Sequence, residues 1–178
     1  GLSARVLAAG ALLPVAEQLE TLLYQAHWEN QSLTPAAEIA NRAFSTRHVF
    51  VVGLEVEQSY LEQQLPDVKW HCIQLESDEN AAEYTRVATA LFETLKTLLS
   101  APLSGQLSYQ LVVPSSATCW QGLSALLKSA EQEQPKLRTQ LIAVSAVTDA
   151  HRLLERININ LGSKSTVPVR YLDDQRQV

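Results

Sequence analysis

The stretch that most restricts how this chain can fold is residues 107–142. It opens with the apolar run Tyr109-Gln-Leu-Val-Val113, passes through Pro114-Ser115-Ser116-Ala117-Thr118, and continues as Cys119-Trp-Gln-Gly-Leu-Ser-Ala-Leu-Leu-Lys-Ser-Ala130. Pro135 stops that helical stretch, and a second apolar run, Gln140–Val144, follows. A buried strand, a short loop, an amphipathic helix over Thr118–Gln132 and another buried strand make up a strand–helix–strand crossover. Folds that bind nucleotides are built from such units. Here, however, the strand-to-helix turn at Pro114–Thr118 has no glycine, so a pyrophosphate finds no open cradle.

Similar units flank it. His48–Leu54 is apolar on both alternating faces, as suits a central parallel strand covered by helices on both sides. A short helix is expected over Val56–Gln64, ended by Leu65-Pro66-Asp67, then a strand over Val68–Leu75. Ser77 and Asp78 are placed to cap a long helix whose stripe is Tyr84, Val87, Ala88, Leu91, Leu95, Leu98 and Leu99. Ala101-Pro102 and Ser104-Gly105 punctuate its end. A helix at Asp149–Ile159 and an edge strand at Val167–Leu172 complete the series. Strands alternating with helices predict an α/β fold, a mostly parallel twisted sheet joined by right-handed crossovers. Upstream, Leu12, Leu13, Val15, Leu19, Leu22, Leu23 and Ala26 predict an amphipathic helix over Pro14–Trp28. A polar loop follows at 29–34, with Thr34-Pro35 as a helix start. The chain divides into an N-terminal helical or linker segment, 1–45, packed on a domain at 46–178.

The 178 residues suit one domain with a substantial core. A hydrophobic content of 46% and a charged content of 19% are those of a globular protein. The net charge of −5 and singly scattered Lys and Arg argue against nucleic acid and anionic membranes as partners. No apolar stretch reaches transmembrane length. Arg5 interrupts the apolar N-terminal run, which therefore does not read as an export signal. Cys72 and Cys119 read as small buried thiols in a reducing, cytoplasmic compartment. The chain lacks an initiator Met and ends at Gln-Arg-Gln-Val, and it reads as a piece of a larger polypeptide.

Candidate chemistry is sparse. The six glycines form neither Gly-x-Gly-x-x-Gly nor a Walker loop. Gly53 stands where a phosphate loop would begin, but Glu55 and Glu57 follow, and their charge repels a diphosphate. Gly53 reads as a tight turn and Gly122 as a close helix-to-sheet contact. A short-chain reductase needs a tyrosine that donates a proton and a lysine that lowers its pKa. Four residues after Tyr24, Tyr60, Tyr84, Tyr109 and Tyr171 stand Trp28, Gln64, Ala88, Val113 and Gln175, never Lys and never Asn. Tyr84 reads as a core or interface ring. Ser115, Ser116 and Cys119 sit where a helix start could activate a thiol, but no nucleophile elbow surrounds them. They leave open an atypical nucleotide- or acyl-dependent transferase site at Ser115–Cys119. His27, His48, His71 and His151 are isolated along the chain. His71 and Cys72, adjacent on a strand, point to opposite faces, so no metal site is expected. Glu131, Glu133, Asp173 and Asp174 read as solvated helix-end or tail charges.

The run with Trp120, Gly122, Leu123, Glu133, Pro135, Leu137 and Arg138 resembles the structural, non-catalytic subdomain of polyketide-synthase ketoreductases, often called the pseudo-ketoreductase. In that family a Trp-x-Gly-Leu helix follows a buried strand, and Glu-x-Pro-x-Leu-Arg leads into the next one. The wording from Leu123 to Pro135 is most similar to synthases of the trans-acyltransferase type, and Val169–Arg176 resembles their closing strand and turn. The resemblance covers about residues 45–178; Pro114 with Ser115-Ser116 departs from the usual loop. It implies a truncated Rossmann-like fold without catalytic residues of its own, with NADPH bound in a neighbouring catalytic half. The implied partners are that half and other domains of the same polypeptide: a methyltransferase, a dehydratase or an acyl carrier protein. Trp120, Gly122, Leu123, Glu133, Pro135, Leu137, Arg138 and Tyr84 would then be packing residues. A self-associating module, using the 12–28 helix or the 80–99 helix, is the interaction alternative.

Overall fold

The most deeply buried strands are where the chain is apolar on both sides, and the polar Gln-Arg-Gln strand closes the sheet at one edge. In the computed structural model the strands are β1 (Thr46–Val52), β2 (Val68–Ile73), β3 (Leu107–Pro114), β4 (Leu137–Val144), β5 (Val169–Leu172) and β6 (Gln175–Gln177). The structure describes residues 28–31, 44–76, 81–100, 102–116, 118–161, 167–172 and 174–178. The helix expected over 14–28, the Thr34-Pro35 start and the Ser77/Asp78 cap lie outside the described residues, apart from Trp28. The helices are α1 (Gln58–Gln64), α2 (Ala81–Ser100), α3 (Leu123–Glu133) and α4 (Ala150–Leu161). A 3-10 turn, Thr118–Gly122, precedes α3, so the helix expected to begin at Thr118 starts with a tighter turn.

The strand order is β2-β1-β3-β4-β5-β6. The first five strands are parallel, and β6 returns antiparallel to β5. This is a mostly parallel, Rossmann-like sheet with flanking helices. Both central strands are buried throughout except Thr46, as their unbroken apolar reading requires. Alternation then divides the core in two. Phe50, Val52, Tyr109, Leu111, Val113 and Leu141 meet α2, α3 and Trp120 on one face. Val49, Val51, Val112, Ile142 and Val144 meet Leu61 of α1 and Leu153 and Ile157 of α4 on the other.

That division exposes an exception to uniform crossover hand. β1-α1-β2 steps one way across the α1/α4 face, and β2-α2-β3 and β3-α3-β4 step the opposite way across the other face. These three share one hand. The β4-α4-β5 unit steps in the second direction but carries its helix on the α1/α4 face, and so has the opposite hand. Coverage supplies the reason. α1 has only 7 residues and cannot roof that face. α4 therefore crosses its centre, where Gln110 donates to Ile157 O at 3.0 Å and Arg47 to Asn158 at 2.9 Å. β5 is left with two register pairs on β4.

The expected edge strand is accordingly one position in from the edge, because β6 pairs along it. Residues 29–31, expected as loop, lie antiparallel to β6: Glu29 N donates to Val178 O at 2.9 Å and Gln31 N to Arg176 O at 3.0 Å. Arg170 stacks over the Trp28 ring at 4.5 Å.

Candidate functional site

In open parallel sheets a ligand lies beyond the carboxyl ends of the strands, where neighbouring strands send their connections in opposite directions. Here that point is between β1 and β3. β1 ends at Gly53, whose φ of +61° is left-handed and favours glycine. Its N–H donates to Ile73 O at 2.9 Å. The space a phosphate would need is taken by side chains. A Cβ on Gly53 would stand 2.6 Å from Leu75 Cδ1 and 3.4 Å from Pro114 Cγ. Leu54 turns inward and is buried, its carbonyl accepting from Gln74 Nε2 at 3.0 Å.

Carboxylates border the same end. Glu55 and Glu57 are exposed beside Gly53. Glu83, on α2, is buried and pairs with Arg86 Nη2 at 2.6 Å. That pairing holds the Glu83 carboxyl below its ordinary range. Arg86 Nη2 also donates to Gln74 O at 2.7 Å. The Arg86 charge is thus already committed.

Beside this point Trp120, fully buried, stacks on Tyr84 of α2 at 5.8 Å between ring centroids. Gly122 permits that approach, since a Cβ there would be 3.0 Å from the Tyr84 hydroxyl. Its close contact is therefore with a neighbouring helix, not with the sheet as the sequence predicts. Leu123 begins α3 and is buried. The remaining motif residues are at the other end of α3: Glu133 closes the helix, exposed; Pro135 is in the turn; Leu137 is buried at the start of β4. Arg138 reaches back to Glu131 at 3.0 Å. The structure joins Trp120, Gly122 and Leu123 to Tyr84, and separates them from Glu133–Arg138 by the length of a helix.

Three expectations need correction. Cys119 is exposed, not buried, because the 3-10 turn directs Trp120 inward in its place. Cys72 is half-buried, and burial pushes its thiol up to about 11, away from nucleophilic chemistry. Two of the histidines are not isolated: parallel pairing of β1 and β2 brings His48 Nδ1 to 3.1 Å from His71 Nε2, with the rings stacked, while His27 lies outside the described residues. Burial lowers His48 to about 4 and lowers His71 as well. Two charges read as solvated are also partnered. Glu131 holds Arg138 and accepts from Thr139 at 3.1 Å. Asp174, at φ 63° in the β5–β6 turn, binds Arg156 at 2.6 Å and Arg152 at 3.1 Å. Among the described residues no group of three or more His, Cys, Asp or Glu is placed to hold a metal ion. Among them, too, no helix is long and apolar enough to cross a membrane.

A polar network escaped the sequence reading altogether. Asn160 Nδ2 donates to the Tyr171 hydroxyl at 2.6 Å, and Asn160 Oδ1 accepts from Arg176 Nε at 2.9 Å. Arg156 packs over the Tyr171 ring at 4.5 Å. Arg156 and Asn160, on the same inward stripe as Leu153 and Ile157, were the signals available.

No protein-family model matches the chain. In sequence it is 29% identical over 180 residues to polyketide synthase PksL of Bacillus subtilis (strain 168), a match that spans 99% of this chain and 4% of that protein. In structure it superposes on a ketoreductase domain from the bacillaene assembly line with a TM-score of 0.62 at 21% identity, over 85% of this chain and 36% of that one. The chain is thus homologous to a small segment of a polyketide synthase and has the Rossmann-like fold of a ketoreductase region.

Proposed function

We propose that this chain is the structural, non-catalytic half of a ketoreductase in a polyketide synthase of the trans-acyltransferase type. In this reading it binds no nicotinamide cofactor. It holds the NADPH-binding half, or an adjacent methyltransferase, in working geometry. The observation that carries the proposal is the filled crevice at the β1/β3 switch point. Leu75 and Pro114 occupy the space beside Gly53, and Glu55 and Glu57 border it. A diphosphate there would meet side-chain carbon and negative charge in place of free backbone N–H groups. The similarity to part of PksL and to part of a ketoreductase domain supports the same reading, because the chain covers about a third of that domain's chain.

The face offered to a neighbour is the apolar groove of about 320 Å³ between α2 and α3. Phe92 on its rim is 48% exposed, which suits packing against another domain of the same polypeptide. Titrating the 178-residue chain with NADPH while following nicotinamide fluorescence tests the proposal. No saturable change is expected, and micromolar saturation would overturn it.

A further inference from the structure

A second cavity, of about 480 Å³, opens at the other end of the sheet, between α4 and the β5–β6 hairpin. Its size is that of small-molecule sites. Asn30, Gln31, Ile159, Tyr171, Gln175 and Arg176 line it together with Asp174. Arg176 is 8% exposed and has no carboxylate partner among the described residues. Its Nε is held by Asn160 at 2.9 Å and its Nη1 by Gln31 at 2.7 Å, both neutral acceptors. Its Nη2 meets no acceptor in good hydrogen-bond geometry among the described residues, and the group beside it, the Tyr171 hydroxyl, is neutral and also accepts from Asn160. Burial lowers the guanidinium from its ordinary value, as expected for a charge without a counter-ion.

Asp174 does not supply that counter-ion. Arg156 Nη2 at 2.6 Å and Arg152 Nη1 at 3.1 Å take both its oxygens. Arg152 also contacts Asp149 at 3.6 Å. Arg152 and Arg156 thus share Asp149 and Asp174 between them, and no carboxylate among the described residues stands within ion-pair distance of Arg176. A buried charge is costly until it is paired.

We infer that this cavity is a binding site for a small oxyanion, a carboxylate or a phosphate, with Arg176 as its anchor. The anion displaces the Gln31 amide from Nη1 and meets the guanidinium as a fork. Asn30 and Gln175 supply further amide donors at the rim, and Ile159 with the Tyr171 ring forms an apolar wall for the remainder of the ligand. The site is independent of the β1/β3 crevice, so it stands or falls apart from the scaffold reading.

The test is titration of the 178-residue chain with sodium acetate, sodium succinate and inorganic phosphate, each against sodium chloride at equal ionic strength. The readout is the amide NMR shifts of residues 29–31 and 174–177. Saturable shifts with one or more oxyanions and none with chloride are expected. A carboxylate response without phosphate assigns the ligand to carboxylic acids, and the reverse assigns it to phosphates. Arg176→Gln should weaken binding by roughly tenfold or more, as loss of a charged hydrogen bond does. If that variant fails to fold, Gln31→Ala serves instead, because it frees Nη1 and should tighten binding. Shifts no larger than those in chloride, or affinity unaltered in both variants, would overturn the inference.

Discussion

Beneath α2 and α3 the sheet meets its helices mainly through carbon: Phe50, Leu111 and Leu141 face Val87, Leu91, Leu127 and the Trp120 ring, and Thr139 adds bonds to Leu127 O and Glu131 of α3. Beneath α4 the contacts mix carbon with hydrogen bonds. Ile142 and Val144 pack on Leu153 and Ile157, while Gln110 bonds Ile157 O, Arg47 bonds Asn158, Arg156 bonds Thr148 and Arg176 of β6 bonds Asn160. The first face gains stability chiefly from buried area, at about 25 cal/mol per Å², and tolerates exchange of one apolar residue for another of like volume. The second demands particular partners, since each buried polar group left unpaired costs about 1–3 kcal/mol. The final crossover, with its opposite hand, is on that second face. A helix laid across the sheet against the usual topology is held by directional bonds as well as by packing.

Trp120→Ala tests the apolar face most severely. It empties the site against Tyr84 and should cost about 3–5 kcal/mol in urea unfolding. A loss near 1 kcal/mol would show that the 3-10 turn collapses into the gap.

The next effect is pH-dependent and belongs to the apolar face as well. Among the described residues, His48 there is bordered by His71, Lys69 and Tyr109, and Phe50 stacks on His71. Its folded pKa is lowered from 6.5 to about 4, so the unfolded chain binds the extra proton between those values. Stability should be fully present above pH 6.5 and fall as pH drops toward 4, by about 2–3 kcal/mol. The double variant His48→Phe with His71→Phe should flatten that dependence; an unchanged slope in equilibrium melts would place its origin elsewhere.

On the polar face, Asn160→Ala leaves the Tyr171 hydroxyl and Arg176 Nε without their partner. It should cost about 2 kcal/mol, although it removes few buried atoms. Near-neutrality would mean that water replaces the amide, and the contrast between the faces would weaken. Smallest of all is Arg138→Ala. Its side chain is 60% exposed, and the pair with Glu131 should be worth about 0–1 kcal/mol in the same melts.

Every expected strand within the described residues is present because each is an apolar run bounded by Pro, Gly or polar residues. β3 and β4 extend two and three residues further at their amino ends, through Leu107-Ser108 and Leu137-Arg138-Thr139, where polar residues blurred the pattern. Turn chemistry was legible at Gly53, where a positive φ is found. The tie between Trp120 and Tyr84 was not, because 36 positions separate residues that only sheet closure brings together. The His48–His71 contact was hidden for the same reason: it depends on which strands are neighbours and in what register. Asp174 looked like a tail charge because nothing local shows that α4 presents two arginines to it.

Local pattern thus determined the elements, their order and the absence of a glycine cradle after β3, since periodicity, proline and glycine act within a few residues. Tertiary structure decided the remainder: that Leu75 and Pro114 fill the crevice beside Gly53, that the last crossover reverses its hand, and that Arg176 is buried with no counter-ion among the described residues. Burial and charge pairing are set by neighbours distant in the chain. Their energies exist only once the sheet has closed and water has been excluded.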